Sequence, residues 1–435
     1  MVPSTGKKAA ALLVLGFFLL LPESSLFSQS HLNASGPGGS AGSRRGDALT
    51  LKVAVMGPGT ELYFWFGHIG LVVENKNTGQ VRFFDWGVFS FESENFFYNF
   101  SFGRLLYCCI VSRADYYYDG YIRNNRDITL YTLDLPIEKK EEVLRFAENN
   151  VLPENRDYYY HLFKDNCSTR IRDILDLAVD GQFKARYGSA PGRFSLRQHV
   201  RRHTWHNQFF DWLLNFWMGQ DVDRPITVWE EMFLPSEIGM RISEFSYSGP
   251  DGKERPLVSA VETVNRSVAR PAVLDVPRRQ WPRELLGSLL FSVPLLLLCL
   301  FRGEQKSFRI FAGLLQGLLG LFFGIAGSLL FFMSFFTNHD YTYHNINILY
   351  GNPLFLAAIP LGLIFAFTGS GKKRFVAARL LRVLWACVFL GGILTMVLKL
   401  SPAFYQQNQV DLALVLPIAL VMIIIMTRMR RFAKQ

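Results

Sequence analysis

Residues 165–173 read Asp165-Asn166-Cys167-Ser168-Thr169-Arg170-Ile171-Arg172-Asp173. Asp165 or Asn166 can cap a helix, and Ile171, Ile174, Leu175 and Ala178 follow at helical spacing. The pattern predicts Cys167 in the first turn, where the helix dipole and free backbone N–H groups favour a thiolate. The N–H groups around Asn166 and Ser168 can also support an oxyanion. Arg170 and Arg172 either bind a phosphate or carboxylate near the site or form a solvated helix face. The bland reading of Cys167 is an ordinary buried side chain; its polar flanks and its place at a helix start argue against that.

A cysteine nucleophile needs a base, and the best candidate is His68 in Phe66-Gly67-His68-Ile69-Gly70, where glycines leave room around the imidazole. His68–Glu74 and Val81–Asp85 read as the two arms of a hairpin around Asn75-Lys76-Asn77-Thr78-Gly79. A turn centred between Lys76 and Asn77 puts Asp85 opposite His68, on the same face of the sheet, where it can orient the imidazole. A slip of one residue would bring Trp86 there instead. Taken alone, His68 reads as a structural histidine and Asp85 as a solvated end of a hairpin.

Around these residues the text is α+β. Residues 51–56, 105–111 and 127–133 read as strands, a helix begins after Pro136, and further helical text runs through 195–218. His199, His203 and His206 have a spacing that could bring three imidazoles to one helix face. Arg197, Arg201 and Arg202 crowd them and no carboxylate lies within the segment, so a basic surface is expected rather than a metal site. Cys167 and the adjacent Cys108 and Cys109 show no disulfide framework.

The 435-residue chain divides by composition. Lys7 and Lys8 precede a short apolar run, Ala9 to Leu21, so residues 1–30 read as a signal peptide or N-terminal anchor. Residues 31–47 read as a flexible linker and 48–280 as an exported domain. Five apolar stretches follow, at about 285–301, 308–336, 349–368, 380–398 and 411–427, within a transmembrane region 285–427. Loops 302–309 and 369–382 and the tail 428–435 hold twelve basic residues, whereas loops 337–348 and 399–410 hold only Lys399. The basic loops are therefore expected in the cytoplasm, which puts the C-terminus inside and the start of the first span outside. Arg278, Arg279 and Arg283, with Trp281 among them, lie on the outer side and suit a headgroup level. The polar, aromatic loop 337–353 either contributes to a site on that side or is an interfacial loop anchored by Tyr341, Tyr343 and Tyr350. The net charge of +10 is largely that of the cytoplasmic loops, and no nucleic-acid partner is expected.

The order His then Cys, with the Cys opening a helix, resembles a circularly permuted papain-like (NlpC/P60-like) thiol fold. More narrowly, the chain resembles the Lnb-type bacterial lipoprotein N-acyltransferases, whose extracytoplasmic thiol domain is joined to membrane helices. The matching pieces are Phe66-Gly67-His68, Phe84-Asp85-Trp86-Gly87, Pro153-Glu154-Asn155-Arg156, Asp165-Asn166-Cys167-Ser168-Thr169-Arg170 and Glu231-Met232-Phe233-Leu234-Pro235, with the loop from Asn345-Ile346-Asn347 to Asn352-Pro353. They span roughly residues 62–246 plus that loop. At Asp85 the family pattern more often has Asn followed by an aromatic residue, which keeps an orienting role rather than an acidic one. The resemblance implies Cys167 as nucleophile and His68 as base. It implies a phospholipid of the bacterial cytoplasmic (inner) membrane as acyl donor and a diacylglyceryl lipoprotein amine as acceptor, with no cofactor and no metal. Two other readings remain open from the residues: a tethered cysteine hydrolase acting on peptide, amide or lipid, and a non-catalytic sensor or binding module.

Overall fold

In Leu49–Met56 (β1) every second side chain from Leu49 to Val53 is buried, and Ala54 and Met56 are buried on the other face. A strand buried on both faces belongs at the middle of a sheet. The computed structural model describes residues 48–89, 95–369 and 371–432; the expected signal or anchor 1–30 and linker 31–47 lie outside them. Around β1 the chain builds a seven-stranded sheet from His68–Asn75 (β2), Gln80–Val88 (β3), Leu105–Arg113 (β4), Ile128–Leu133 (β5), Asp157–Tyr160 (β6) and Val258–Asn265 (β9), in the order β6-β4-β3-β2-β1-β5-β9. Every neighbouring pair is antiparallel. Ser246–Ser248 (β7) and Glu254–Pro256 (β8) form a separate pair.

The helices of this α/β unit include Phe96–Ser101 (α1), Ala114–Arg123 (α2), Ile137–Asn150 (α3) and Cys167–Ala178 (α4), with Pro235–Glu244 following later in the chain. One face of the sheet sends Ile69, Leu71, Val73, Phe84 and Trp86 against Ile171, Ile174 and Leu175 of α4. The other sends Val72 and Phe83 against Tyr117 and Tyr121 of α2. Burial of apolar surface on both faces, at about 25 cal/mol per Å², fixes which residues can lie at the ends of the strands, where polar groups remain available.

The chain divides into two compact units: Met1–Phe194 with Pro225–Ala272, and Ser195–Arg224 with Val273–Gln435. Where the sequence suggested one boundary near residue 280, the chain changes unit three times. The helical text at 195–218 is two helices, Leu196–Thr204 (α5) and Gln208–Trp217 (α6), and both belong to the second unit.

Among its described residues, that unit contains five segments long and apolar enough to cross a membrane: Trp281–Arg302 (α7), Lys306–Phe336 (α8), Ile346–Phe367, Lys372–Leu398 (α10) and Gln409–Met429, within helix Gln409–Phe432 (α11). The third departs from the single helix expected at 349–368. It is two 3-10 segments, Ile346–Leu349 and Pro353–Ala357, leading into the short helix Ala358–Phe367 (α9). The cause is local: Asn345 and Asn352 turn their side-chain oxygens onto Asn347 N and Leu354 N, and Pro353 has no N–H for a helical ladder.

Loop 337–353 is a brace within this unit. Asn345 and Asn347 donate to the carbonyl of Phe216 at the end of α6, and Tyr350 donates to Asn347 at 2.6 Å. The basic surface expected at α5 is instead buried: Arg197, His199, Arg202 and His203 all lie inside the unit. His199 Nδ1 lies 2.9 Å from an Arg202 guanidinium nitrogen, and His203 Nδ1 lies 2.8 Å from the His199 carbonyl. Burial pushes His203 down to about 3, so it is neutral at physiological pH.

Small residues let α8 approach the third span. A side chain on Gly320 would meet Ala358 Cβ at 2.7 Å and Phe355 O at 2.9 Å; one on Gly327 would meet the backbone of Asn352 at 2.6 Å. Between membrane helices, where apolar lipid offers little drive, such close contact is the main source of packing energy. Gly320→Leu or Gly327→Leu should destabilise the second unit by about 1–3 kcal/mol through overpacking. This would be read as a lower melting temperature of the detergent-solubilised protein, whereas Gly369→Ala, whose Cβ meets nothing, should leave it unchanged.

Candidate active site

The hairpin β2–β3 carries the first two site residues, in a register other than the expected one. Leu71 pairs with Phe84, Val73 with Arg82 and Asn75 with Gln80, so position 68 falls opposite Gly87 rather than Asp85. The turn is displaced because Asn75 Oδ1 accepts from Asn77 and Thr78 N–H, and Gly79 takes φ +69° before β3 begins. A shift of two residues preserves the face of every side chain. Asp85 therefore still shares a face with His68, as a diagonal neighbour, and the contact forms: His68 Nε2 lies 2.9 Å from Asp85 Oδ1.

An irregularity in β3 sharpens this arrangement. Between Asp85 and Val88 the pairing with β4 gains an extra residue, and at this bulge Gly87 N–H turns onto Asp85 Oδ1 at 2.7 Å. Gly87 is a glycine for steric reasons: a Cβ there would run into His68 Cε1 and stand 3.1 Å from its Nδ1. The Tyr117 hydroxyl, from α2, is a third donor to Asp85. A buried carboxylate would ordinarily be pushed up by its loss of water; here the His68 charge and hydrogen bond, the Gly87 N–H and the Tyr117 hydroxyl outweigh burial and hold it below the usual carboxylate range.

His68 responds in the opposite sense. Burial opposes its charge, but Asp85, followed by Tyr121 and Cys167, outweighs burial and raises its pKa well above 6.5. The Tyr121 ring lies parallel to the imidazole at 6.3 Å between centroids. Tyr121 is in turn covered by the Arg126 guanidinium, 4.4 Å from its centroid, while Arg126 Nε donates to Gly57 O. With Nε2 bonded to an ionised Asp85, Nδ1 is the imidazole nitrogen left for proton exchange.

Cys167 opens α4 as the sequence suggested, with Asn166 as its cap. Asn166 Oδ1 accepts from Ser168 N and Thr169 N, both at 2.9 Å, and Thr169 Oγ1 accepts from Asn166 N at 2.8 Å. This is a complete capping box. The Asn166 amide nitrogen donates to Leu162 O and Phe233 O, so the 231–235 segment holds the cap from outside the helix. Cys167 is a free thiol, as are the other four cysteines. It stands within electrostatic reach of His68, Tyr107, Tyr121 and Tyr158.

The four residues expected to support substrate or oxyanion have other partners. The Asn166 amide and the Ser168 N–H are occupied by the cap, and the Ser168 side chain is fully buried. Arg170 makes a two-pronged pair with Asp165, at 2.6 and 2.8 Å, and lies over the Tyr158 ring. Arg172 bonds Asp173 and the Trp229 carbonyl and stacks 4.2 Å above the Trp229 ring. Arg170 and Asp165, with Trp86 and Ile174, line a cleft of about 250 Å³ to which Cys167, His68 and Asp85 contribute nothing. Gly87, Tyr117 and Tyr121 are contacts of the His68–Asp85 pair that the sequence did not suggest. Gly after Asp85-Trp86 in a strand was the one available signal; the tyrosines come from a separate helix and carried none.

Residues 42–202 match the family described as the Lnb N-terminal periplasmic domain. No curated protein and no solved structure matches the chain.

The raised His68 and lowered Asp85 pKa values work in complementary ranges. Stability from His68 is fully present at low pH and is lost as pH rises through its raised folded pKa; stability from Asp85 is lost as pH falls through its lowered one. Both contributions are therefore complete on the mildly acidic side, between the ordinary carboxylate value of 3.8 and the ordinary imidazole value of 6.5, and the His68 part declines as pH rises above that. Asp85→Asn should lower the pH midpoint of the His68 imidazole, followed by NMR of the labelled ring, and an unchanged midpoint would contradict the coupling. Gly87→Ala should displace the imidazole and slow alkylation of Cys167 by iodoacetamide about tenfold, the size of a lost acid–base partner being roughly 10²-fold or more.

Proposed function

We propose, on the premise that the chain belongs to the Lnb-type family through its N-terminal periplasmic domain, that it is a thiol acyltransferase of the bacterial inner membrane. In this reading it moves an acyl chain from a phospholipid to the N-terminal amine of diacylglyceryl-cysteine lipoproteins. The observation that carries the reading is the buried Asp85–His68 pair beside a cysteine at a capped helix start. It is the nucleophile–base–orienter arrangement of a thiol enzyme, and its order along the chain supports a permuted papain-like thiol fold.

The reaction divides into two balanced halves. Cys167 Sγ attacks an ester carbonyl of the phospholipid. The S–C bond forms and the ester C–O bond breaks, and the thiol proton passes through His68 Nδ1 to the departing glycerol oxygen, releasing a lysophospholipid. The acceptor amine then attacks the thioester carbonyl. The N–C bond forms, the C–S bond breaks, and the amine proton returns through His68 to the thiolate sulfur. Asp85 keeps the imidazole oriented and stabilises its charged form in each half. The Ser168 and Thr169 N–H groups are bound to the cap, so the Cys167 N–H, at the same positive helix end, is the backbone donor assigned to the oxyanion.

A five-span anchor suits this chemistry. Both substrates lie in the outer leaflet of the same membrane, and tethering the catalytic unit beside them replaces a three-dimensional search by a local one. The basic loops support a cytoplasmic C-terminus and a catalytic unit on the outer side.

Intact mass of the purified protein after incubation with phospholipid vesicles should show an acyl adduct on the wild type, removed by hydroxylamine and absent from Cys167→Ala. Release of free fatty acid with no adduct, even on rapid quenching in the cold, would replace this reading by that of a lipid hydrolase. No change to the lipid at all would direct attention to peptide substrates.

A further inference from the structure

At one end of the second unit the five apolar segments meet around a cavity of about 120 Å³. It is lined by Gly303, where α7 ends, by Lys306 and Arg309, where α8 begins, by Phe365 near the end of α9, by Arg374 in the first turn of α10 and by Met429 near the end of α11. Each of the five segments thus contributes to the wall. The remaining lining residues are Glu304 and Gln305. This end carries loops 302–309 and 369–382, so it is the cytoplasmic end on the topology read from those loops.

The charged groups of the lining are three cations and one carboxylate, which leaves a positive excess. Basic residues that only mark a cytoplasmic loop stretch their head groups into water. Two of these do not. Arg374 is 8 % exposed. Arg309 is half-buried, and its Nε is shut off from solvent without a hydrogen-bond partner. A buried guanidinium N–H left unbonded is costly, and phosphate oxygens match the guanidinium fork. The cavity has far more room than the roughly 15 Å³ that one water needs, so a polyatomic anion fits.

We propose that this pocket holds the phosphate of an anionic phospholipid from the leaflet on that side, with Arg309 and Arg374 as its ligands. A headgroup held there bridges α8 and α10 and offsets the repulsion between their arginines. The apolar surroundings favour a lipid over a dissolved anion. Phe365 and Met429 are buried in the wall, while Phe301 and Phe367, each two residues along the chain from a lining residue, are 82 % and 63 % exposed. Exposed rings at the end of a membrane span are covered by acyl tails. The inference stands apart from the acyltransferase reading, because it concerns the leaflet opposite that of the proposed donor.

The test measures lipid binding by native mass spectrometry of the full-length protein released from detergent. The probes are dihexadecyl ether phosphatidylglycerol and the matching phosphatidylcholine, which share their tails and carry no acyl group to transfer. The wild type should bind the anionic lipid about tenfold more tightly than the zwitterionic one. Arg309→Gln combined with Arg374→Gln should bring that ratio close to unity. Arg309→Gln alone, the milder change if the pair does not yield folded protein, should lower it about threefold. Lys372→Gln combined with Arg379→Gln removes the same charge from exposed positions outside the pocket and should keep the wild-type ratio. A ratio retained by the pocket variants, or a fall as large in the control pair, would overturn the pocket as the site. Inorganic phosphate at millimolar concentration should leave the lipid bound; release of the lipid by phosphate would contradict the lipid as the source of the anion.

Discussion

The exported unit depends on one buried charge. Asp85 has lost nearly all contact with water, and a carboxylate in that position is tolerable only if its oxygens are hydrogen-bonded. Three donors converge on it: an imidazole from β2, a backbone N–H from its own bulged strand and a phenol from α2. Each comes from a different part of the fold, so the carboxylate links the hairpin, the bulge and one helix layer. Gly87 is held to glycine by the ring that bonds Asp85, and Tyr121 lies parallel to that ring. Packing and the hydrogen bonding of one carboxylate thus place the same demand on the end of the sheet.

The proposed nucleophile, Cys167, is held from the other face of the sheet. Asn166 satisfies two first-turn N–H groups and anchors to two carbonyls, so Cys167 begins α4 in a fixed orientation. The four hydrogen bonds of this single side chain explain why an amide, and not a serine or aspartate, suits the cap. Serine has no second donor, and aspartate would repel both carbonyls.

Much of this was legible in the sequence because it is local. The helix start at Cys167, the hairpin after His68 and the five apolar stretches each follow from neighbouring residues. The side-chain contact between His68 and Asp85 was also anticipated, although by way of a register two residues away. The pleat repeats every two residues, so the error preserved the face and hence the contact. What stayed hidden was non-local. Tyr117 and Tyr121 reach the site from a helix whose sequence says nothing of it, and Arg170 and Arg172 find partners that no spacing rule announces. Helices α5 and α6 read as part of a soluble domain because their composition is mixed. Their packing is with the second unit, where Trp212 stacks on Phe322 and the Trp217 indole donates to the Ala326 carbonyl.

The central claim is that Cys167 carries an acyl group to a lipoprotein amine. The most direct measurement is the mass of the N-terminal peptide of a reporter lipoprotein, isolated from cells that lack their own N-acylating enzyme and express this chain. The account predicts one added acyl chain on the α-amine with the wild type and an unmodified amine with Cys167→Ala or His68→Ala. An unmodified amine with the wild-type chain, or equal N-acylation with Cys167→Ala, would contradict it.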